Sequence, residues 1–133
     1  MKYYLDTNTI IYAIKGTYPS LVEHFKNVPK ESIVIPEIVL AEIEYGARKS
    51  NNYNKTIKKY NEFTDYFDIA YFDKNAAVSY GIIRSELKKI GKQIGPNDLI
   101  IASIVQANEG ILVTHNTKEF ESIKELKIED WTK

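Results

Sequence analysis

The sequence predicts an α/β fold, with a central parallel sheet of four to five strands flanked by helices. Three observations predict it. Short apolar runs alternate with longer segments of helical periodicity. Strands such as Ser32–Ile35 are continuously apolar, as expected where a sheet is covered on both faces. The chain has 133 residues, 44% hydrophobic and 27% charged, which suits one domain over 1–133 with one core.

The elements follow in order. Lys2–Leu5 reads as a strand that stops at Asp6-Thr-Asn, where Thr7 or Asn8 can cap a helix over Thr9–Lys15. Gly16 ends that helix. Pro19–Asn27 is a second helix with Leu21, Val22 and Phe25 inward. Ser32–Ile35 is the second strand, and Pro36 stops it. Glu37–Ser50 and Tyr53–Phe67 are helices, the latter with Ile57, Tyr60, Phe63, Thr64 and Phe67 at helical spacing. Ile69–Phe72 is a third strand. Asn75–Ile90 is a helix with Val78, Ile82, Leu87 and Ile90 inward. After a break from Gly91 to Pro96, Asp98–Asn108 is a helix apolar on nearly every side, and so buried. Ile111–Thr114 is a fourth strand and Lys127–Ile128 a short fifth.

Composition narrows the function. There is no cysteine, which excludes a disulfide framework, a thiolate zinc site and a thiol nucleophile. The two histidines, His24 and His115, have no ligand spacing. Asp6 interrupts the apolar start that a signal peptide needs, and the longest apolar run, Leu99 to Val105, is too short for a membrane span. A cytoplasmic protein without membrane association is the expectation. The formal net charge is zero, which argues against a sequence-independent DNA binder but not against a nucleic-acid enzyme, because an acidic site offsets a basic surface.

Carboxylates carry the chemistry. Asp6 directly follows the first strand, at the edge where open parallel sheets bind ligands, although turn aspartates are common there too. Glu42 falls between Ile38, Val39, Tyr45 and Gly46, away from the solvated face of Glu37, Ala41, Glu44 and Arg48. A carboxylate on an apolar face needs a partner, either a structural cation or a metal shared with Asp6. Asp98 opens the buried helix, where it can act as a dipole cap or lie beside Ala102 in the interior. Asn116 and Glu119 follow the fourth strand and can offer oxygen ligands, with Phe120 anchoring the segment. His115 is read as exposed or hydrogen-bonded rather than catalytic. Acids converging at one sheet edge repel one another, and a hard divalent ion that prefers oxygen would relieve that strain.

Four segments together resemble the PIN-domain family, and particularly the VapC-type toxins of toxin–antitoxin pairs. They are Tyr4-Leu-Asp-Thr-Asn-Thr-Ile10, Leu40-Ala-Glu-Ile-Glu-Tyr-Gly46, Gly95-Pro-Asn-Asp-Leu-Ile-Ile-Ala102 and Val113-Thr-His-Asn-Thr-Lys-Glu-Phe120. The closing Ile128-Glu-Asp-Trp131 also looks like the family's terminal segment. The resemblance spans the chain in order. It implies a PIN-like fold and a Mg²⁺- or Mn²⁺-dependent endoribonuclease, the toxin of a type II pair, acting on RNA with tRNA as one candidate. Carried over residue by residue, the family's acids fall on Asp6, Glu42 and Asp98. Many relatives have Asp where this chain has Asn116, and those with Asn there carry a Glu three residues on, here Glu119. That makes Asp6, Glu42, Asp98 and Glu119 the implied catalytic and metal-binding set, with Thr7, Asn8, Thr114 and Asn116 in support. A cognate antitoxin and a homodimer are implied as partners.

Two basic groups are candidate RNA contacts: Arg48, Lys55, Lys58 and Lys59, and then Arg84 and Lys88, with Lys49, Lys89 and Lys92 nearby. Tyr45, Tyr53 and Tyr60 are available for stacking. Each lysine alone also fits a solvated helix face. Two other readings compete. A phosphatase of the haloacid-dehalogenase type also places Asp after the first strand, but it needs another Asp where Asn8 stands. A non-catalytic PIN-like module binding RNA or protein is the alternative from another class.

Overall fold

Tyr3–Leu5 (β1) is the middle strand of a five-stranded sheet, in a computed structural model that describes residues 1–133. Its neighbours are Ile33–Pro36 (β2) on one side and Ile111–Val113 (β4) on the other. Asp68–Ala70 (β3) and Lys127–Glu129 (β5) form the edges, in the order β3-β2-β1-β4-β5. Every pairing is parallel, with Tyr3 opposite both Ile33 and Ile111, and Leu5 opposite Val113. The five strands therefore end on one edge of the sheet. Strand order reverses beside β1, which opens a crevice at the carboxyl ends of β1 and β4.

Seven helices flank the sheet: Thr7–Lys15 (α1), Pro19–Asn27 (α2), Glu37–Lys49 (α3), Tyr53–Thr64 (α4), Lys74–Lys89 (α5), Pro96–Ala107 (α6) and Thr117–Phe120 (α7). The expected α/β layout with a central parallel sheet is present. All four residues of β2 and all three of β4 are buried, as their continuous apolar sequence requires. The core joins Leu5, Ile10, Ile35, Val39, Ile104 and Leu112, with Phe120 seated in it. Helix α6 buries Leu99, Ile101, Ala102, Ser103, Ile104 and Val105. Full burial of each aliphatic side chain contributes about 1.5–3 kcal/mol, enough to hold this helix at the centre.

Several boundaries differ from the sequence reading, for physical reasons. Helix α1 begins at Thr7 because Asp6 itself is the N-cap, accepting from the Thr9 amide. β3 stops at Ala70 because its only neighbour, β2, ends opposite it at Pro36. Tyr71 and Phe72 lie outside the sheet and exposed, and the Phe72 amide donates instead to Glu37 Oε1 at 2.6 Å. Helix α4 ends at Thr64, yet Phe67 still packs against Phe25 and Phe63. Helix α6 starts two residues early, with Pro96 at its first position, where a missing N–H costs nothing.

The inward face of α5 is also corrected. Val78, Ile82 and Ile90 are more than half exposed, and only Leu87 of the expected set is buried. The stripe that meets the core is Ala76, Ile83 and Leu87, with Tyr80 at its margin. Two apolar stripes exist on this helix, and periodicity does not say which one faces α6.

Candidate active site

The residue after β1, helices α3 and α7 that follow β2 and β4, and the first turn of α6 bring four carboxylates to the crevice. Asp6 directly follows β1 and is buried. Its Oδ1 accepts from the Thr9 amide at 2.9 Å and its Oδ2 from the Thr114 hydroxyl at 2.5 Å. The Asp6 amide donates to Val113 O at 3.3 Å, so the residue is held to β4 by backbone as well. The cap role and the site position thus coexist, one on each oxygen. Burial pushes the Asp6 carboxyl up, the bonds from Thr114 and Thr9 pull it down, and the Glu42 charge adds a smaller upward push.

Glu42 lies on α3, next to the buried Ile43. Neither a lysine nor an arginine meets it. Its Oε1 accepts from the Thr7 hydroxyl at 2.5 Å and its Oε2 from the Asn97 amide at 3.3 Å. Asp98, at the third position of α6, is half-buried and receives no hydrogen bond from protein. Burial, and then the charges of Glu119, Asp6 and Glu42, push its carboxyl up to about 6. Glu119 sits on α7, and its Oε1 accepts from the Gly95 amide at 3.0 Å. A methyl group on Gly95 would lie 3.7 Å from Asp98 Oδ2 and 4.0 Å from Glu119 Oε1, so this bare backbone turn separates the two acids.

No cation neutralises this cluster. The two ion pairs of the chain are Arg48–Glu44 and His115–Asp130, and neither involves any of the four acids. Their partners are alcohols and amides, which orient carboxylates without cancelling charge. The carboxyls converge without closing into a ready-made cage of three donors. An all-oxygen set of this kind fits a hard divalent cation that keeps several of its own waters and takes only a few protein ligands.

The supporting residues divide. Thr7 and Thr114 donate to the acids, and the Asn116 amide donates to Thr114 Oγ1 at 3.0 Å. The Asn116 side chain makes no hydrogen bond, and neither does that of Asn8, which is exposed. Asn8 is thus not joined to the cluster. His115 is hydrogen-bonded away from it, with Nδ1 3.2 Å from Asp130 Oδ2 and 3.0 Å from Thr132 Oγ1. Sequence reasoning assigns no role to Asn97 or to the Gly95 amide. The signal was an amide side chain one residue before Asp98 at a helix start, but its reach to α3 is a tertiary fact.

The basic candidates divide too. Arg48 pairs with Glu44 at 3.2 Å and stacks 3.7 Å from the Tyr53 ring centroid, while the Tyr53 hydroxyl donates to Glu44. That cation and that ring are occupied within the chain. Tyr60 packs against the core, and Tyr45 is exposed with Lys49 over its ring. Lys55, Lys58 and Lys59 are exposed on α4 without carboxylate partners. Arg84 and Lys88 line a cleft of about 740 Å³ between the end of α5 and the start of α6.

The PIN domain model matches residues 3–126. Ribonuclease VapC1 of Haemophilus influenzae strain R2866 is 37% identical, with each chain covered in full. The tRNA(fMet)-specific endonuclease VapC of Shigella flexneri is 36% identical, with 99% of each chain covered. Among solved structures, VapBC2 from Rickettsia felis, bound to a DNA fragment from its promoter, superposes with a TM-score of 0.92 at 38% identity, covering 98% of this chain and 99% of that one. The chain belongs to the PIN domain family, within its VapC group.

Proposed function

We propose that this protein is a divalent-metal-dependent endoribonuclease, the toxin of a type II toxin–antitoxin pair, acting on RNA in the cytoplasm. The observation that carries this reading is the convergence of Asp6, Glu42, Asp98 and Glu119 on one crevice with no neutralising cation. Four like charges held together raise the energy of the folded chain, and a bound cation offsets that cost. Asp6, Glu42, Asp98 and Glu119 are the residues that would hold Mg²⁺ or Mn²⁺. The chemistry supplied there by a bound ion would be polarisation of a phosphodiester and activation of a water.

The chain's own residues do the rest. Thr114 and the Thr9 amide fix both oxygens of Asp6, so that its carboxylate faces the crevice in one orientation. Thr7 and Asn97 do the same for Glu42, and the Gly95 amide holds one oxygen of Glu119. Asp98 is left free to bind, as its carboxyl spends no lone pair on protein donors. The exposed Lys55, Lys58 and Lys59 are candidate phosphate contacts, as are Arg84 and Lys88.

Relatives support the substrate class and the partner. Two similar proteins carry the names ribonuclease and tRNA(fMet)-specific endonuclease, and a close structural match was solved as a VapBC pair on DNA. By that likeness this chain cleaves RNA, tRNA included, and binds a cognate antitoxin; assembly as a homodimer is carried over from the family resemblance alone. One sheet with one continuous core supports reading residues 1–133 as a single domain.

The test is direct. Purified protein is incubated with tRNA and Mn²⁺, with and without EDTA, beside an Asp6→Asn variant. Cleavage that stops with EDTA and with the variant is the expected outcome. Cleavage that survives either treatment belongs to a contaminant, and absence of cleavage of any RNA favours a non-catalytic binding module.

A further inference from the structure

The cleft between α5 and α6 has a charge pattern that the acid cluster does not explain. Arg84, Lys88 and Lys92 all line it, and no carboxylate does. None of the three belongs to an ion pair. Arg84 Nη1 donates to the Tyr80 hydroxyl at 2.9 Å and its guanidinium lies 5.8 Å from that ring's centroid, but unlike Arg48 it has no carboxylate partner; Tyr80 forms one wall. Glu86, the acid between them in sequence, lines a different hollow on the other side of α5. Cations near a helix C-terminus often only complement its dipole. That account covers Lys88, in the last turn, but not Arg84, a turn earlier, nor Lys92, which lies beyond the helix.

The position of Lys92 is fixed by backbone. Gly91 takes φ +69°, its amide donates to Lys88 O at 3.1 Å, and the Lys92 amide donates to Leu87 O at 2.9 Å. This Schellman closure turns the chain back toward α6. Arg84 and Lys88 are spaced one helical turn apart on the same face, and Lys92 continues their row. The cleft then runs to Pro96 and Leu99, the residues that bracket Asn97 and Asp98. A basic trough with an aromatic wall thus ends at the first turn of α6, the turn that carries Asp98, although none of the four acids lines it.

We propose that this trough seats the sugar–phosphate backbone of single-stranded RNA next to the scissile bond, with phosphates on Arg84, Lys88 and Lys92 and Tyr80 beside a base. It rests on the ribonuclease reading above and says where the strand enters. Three unpaired cations in a concave site without acids match a polyanion, and the aromatic wall suits an unpaired base. A duplex offers no free base to such a wall.

The test measures binding of a fluorescein-labelled single-stranded RNA by anisotropy in EDTA, where metal-assisted cleavage is suppressed. Lys88→Glu/Lys92→Glu is compared with Lys30→Glu/Lys127→Glu, an equal charge change on the side of the sheet where β2 and β5 begin, away from the carboxyl-end crevice, and thermal melts confirm that both variants fold. The trough variant is expected to raise Kd at least about tenfold and to reduce the slope of log K against log salt by about 1.4, two single-strand phosphate contacts. The control is expected to change Kd by less than about threefold. Equal losses in both variants would show general charge attraction and overturn the proposal. Unchanged RNA affinity in the trough variant, together with lost binding of an acidic peptide, would reassign the trough to a protein partner and overturn it too. A wild-type protein that neither binds nor cuts RNA would sink the ribonuclease reading itself, whereas wild-type cleavage with an unaffected trough variant would sink only this assignment.

Discussion

The Thr114 hydroxyl donates to Asp6 Oδ2 at 2.5 Å, joining the carboxyl ends of β4 and β1 across 108 residues of sequence. Thr114 is fully buried, so no water replaces it when the hydroxyl is lost. Thr114→Val keeps the shape and removes the donor. Metal affinity, followed by titration with Mn²⁺, should fall about 10–100-fold, the usual cost of losing a partner that orients a ligand. Thr114→Ser should restore most of it. Equal affinity in the valine variant would mean that the bond is structural only.

The raised Asp98 carboxyl sets a pH dependence. Its ordinary value is 3.8 and the folded value about 6, with burial the first cause and the Glu119, Asp6 and Glu42 charges next. The folded chain therefore holds a proton that the unfolded chain releases between those values. This group destabilises the metal-free protein as pH rises from about 4 through about 6, and it does so fully above that. Asp6, also shifted upward, acts in the same direction. In EDTA, Asp98→Asn should melt a few degrees above wild type at pH 8 and should converge with it toward pH 4. Parallel melting curves at all pH values would contradict the assignment.

Metal and proton compete for the same carboxylates. Mn²⁺ should raise the wild-type melting temperature at pH 8, and the gain should shrink below about pH 6 as Asp98 protonates. Asp98→Asn should show little gain at either pH. Isothermal calorimetry should record proton release on binding near pH 6 and less of it near pH 8.

Glu119 can be separated from Asn116 by three substitutions. Glu119→Gln keeps an acceptor for the Gly95 amide and removes one negative charge. Without metal at pH 8 it should melt at or somewhat above wild type, because Asp98 loses its strongest like-charge neighbour, while RNA cleavage is lost. Glu119→Ala removes both and leaves the Gly95 amide unmet, at a stability cost of about 1–3 kcal/mol if water does not reach it. Asn116→Ala should change little, because the contact to Thr114 comes from the backbone. A large loss of cleavage in Asn116→Ala alone would exchange the roles of the two residues.

Gly110 has a role unrelated to chemistry. A methyl group there would overlap the buried ring of Tyr4, with Cδ1 at 2.5 Å, and would lie 3.2 Å from Lys2 O. Tyr4 lies in β1 and Lys2 directly precedes it, and Asp6 directly follows the strand. Gly110→Ala should cost about 1–3 kcal/mol by overpacking, read in urea denaturation, and should weaken Mn²⁺ binding through displacement of β1. Unaltered stability would mean that Tyr4 can move aside at no cost.

Much of this protein is legible before any coordinates. Local chemistry decides where strands β1, β2 and β4 lie, because a continuous apolar run bounded by turn residues has few alternatives. It also decides that α6 is central, because a helix apolar on every side has nowhere else to go. The acids Asp6, Glu42, Asp98 and Glu119 stand out on position and on resemblance to a family pattern, each next to a strand end or on an apolar face. What tertiary structure alone decided are relations between segments. The partner of Glu42 proved to be Thr7 with Asn97 rather than a cation, because only packing of α1, α3 and α6 sets those groups side by side. Arg48 was withdrawn from the candidate contacts by Glu44 and Tyr53, and a turn of backbone set Lys92, but not Lys89, in one cleft with Arg84 and Lys88. The face that α5 buries followed the same logic. Periodicity is a property of one segment, whereas the choice between two stripes, two partners or two cations is settled by which neighbour the sheet order brings within reach.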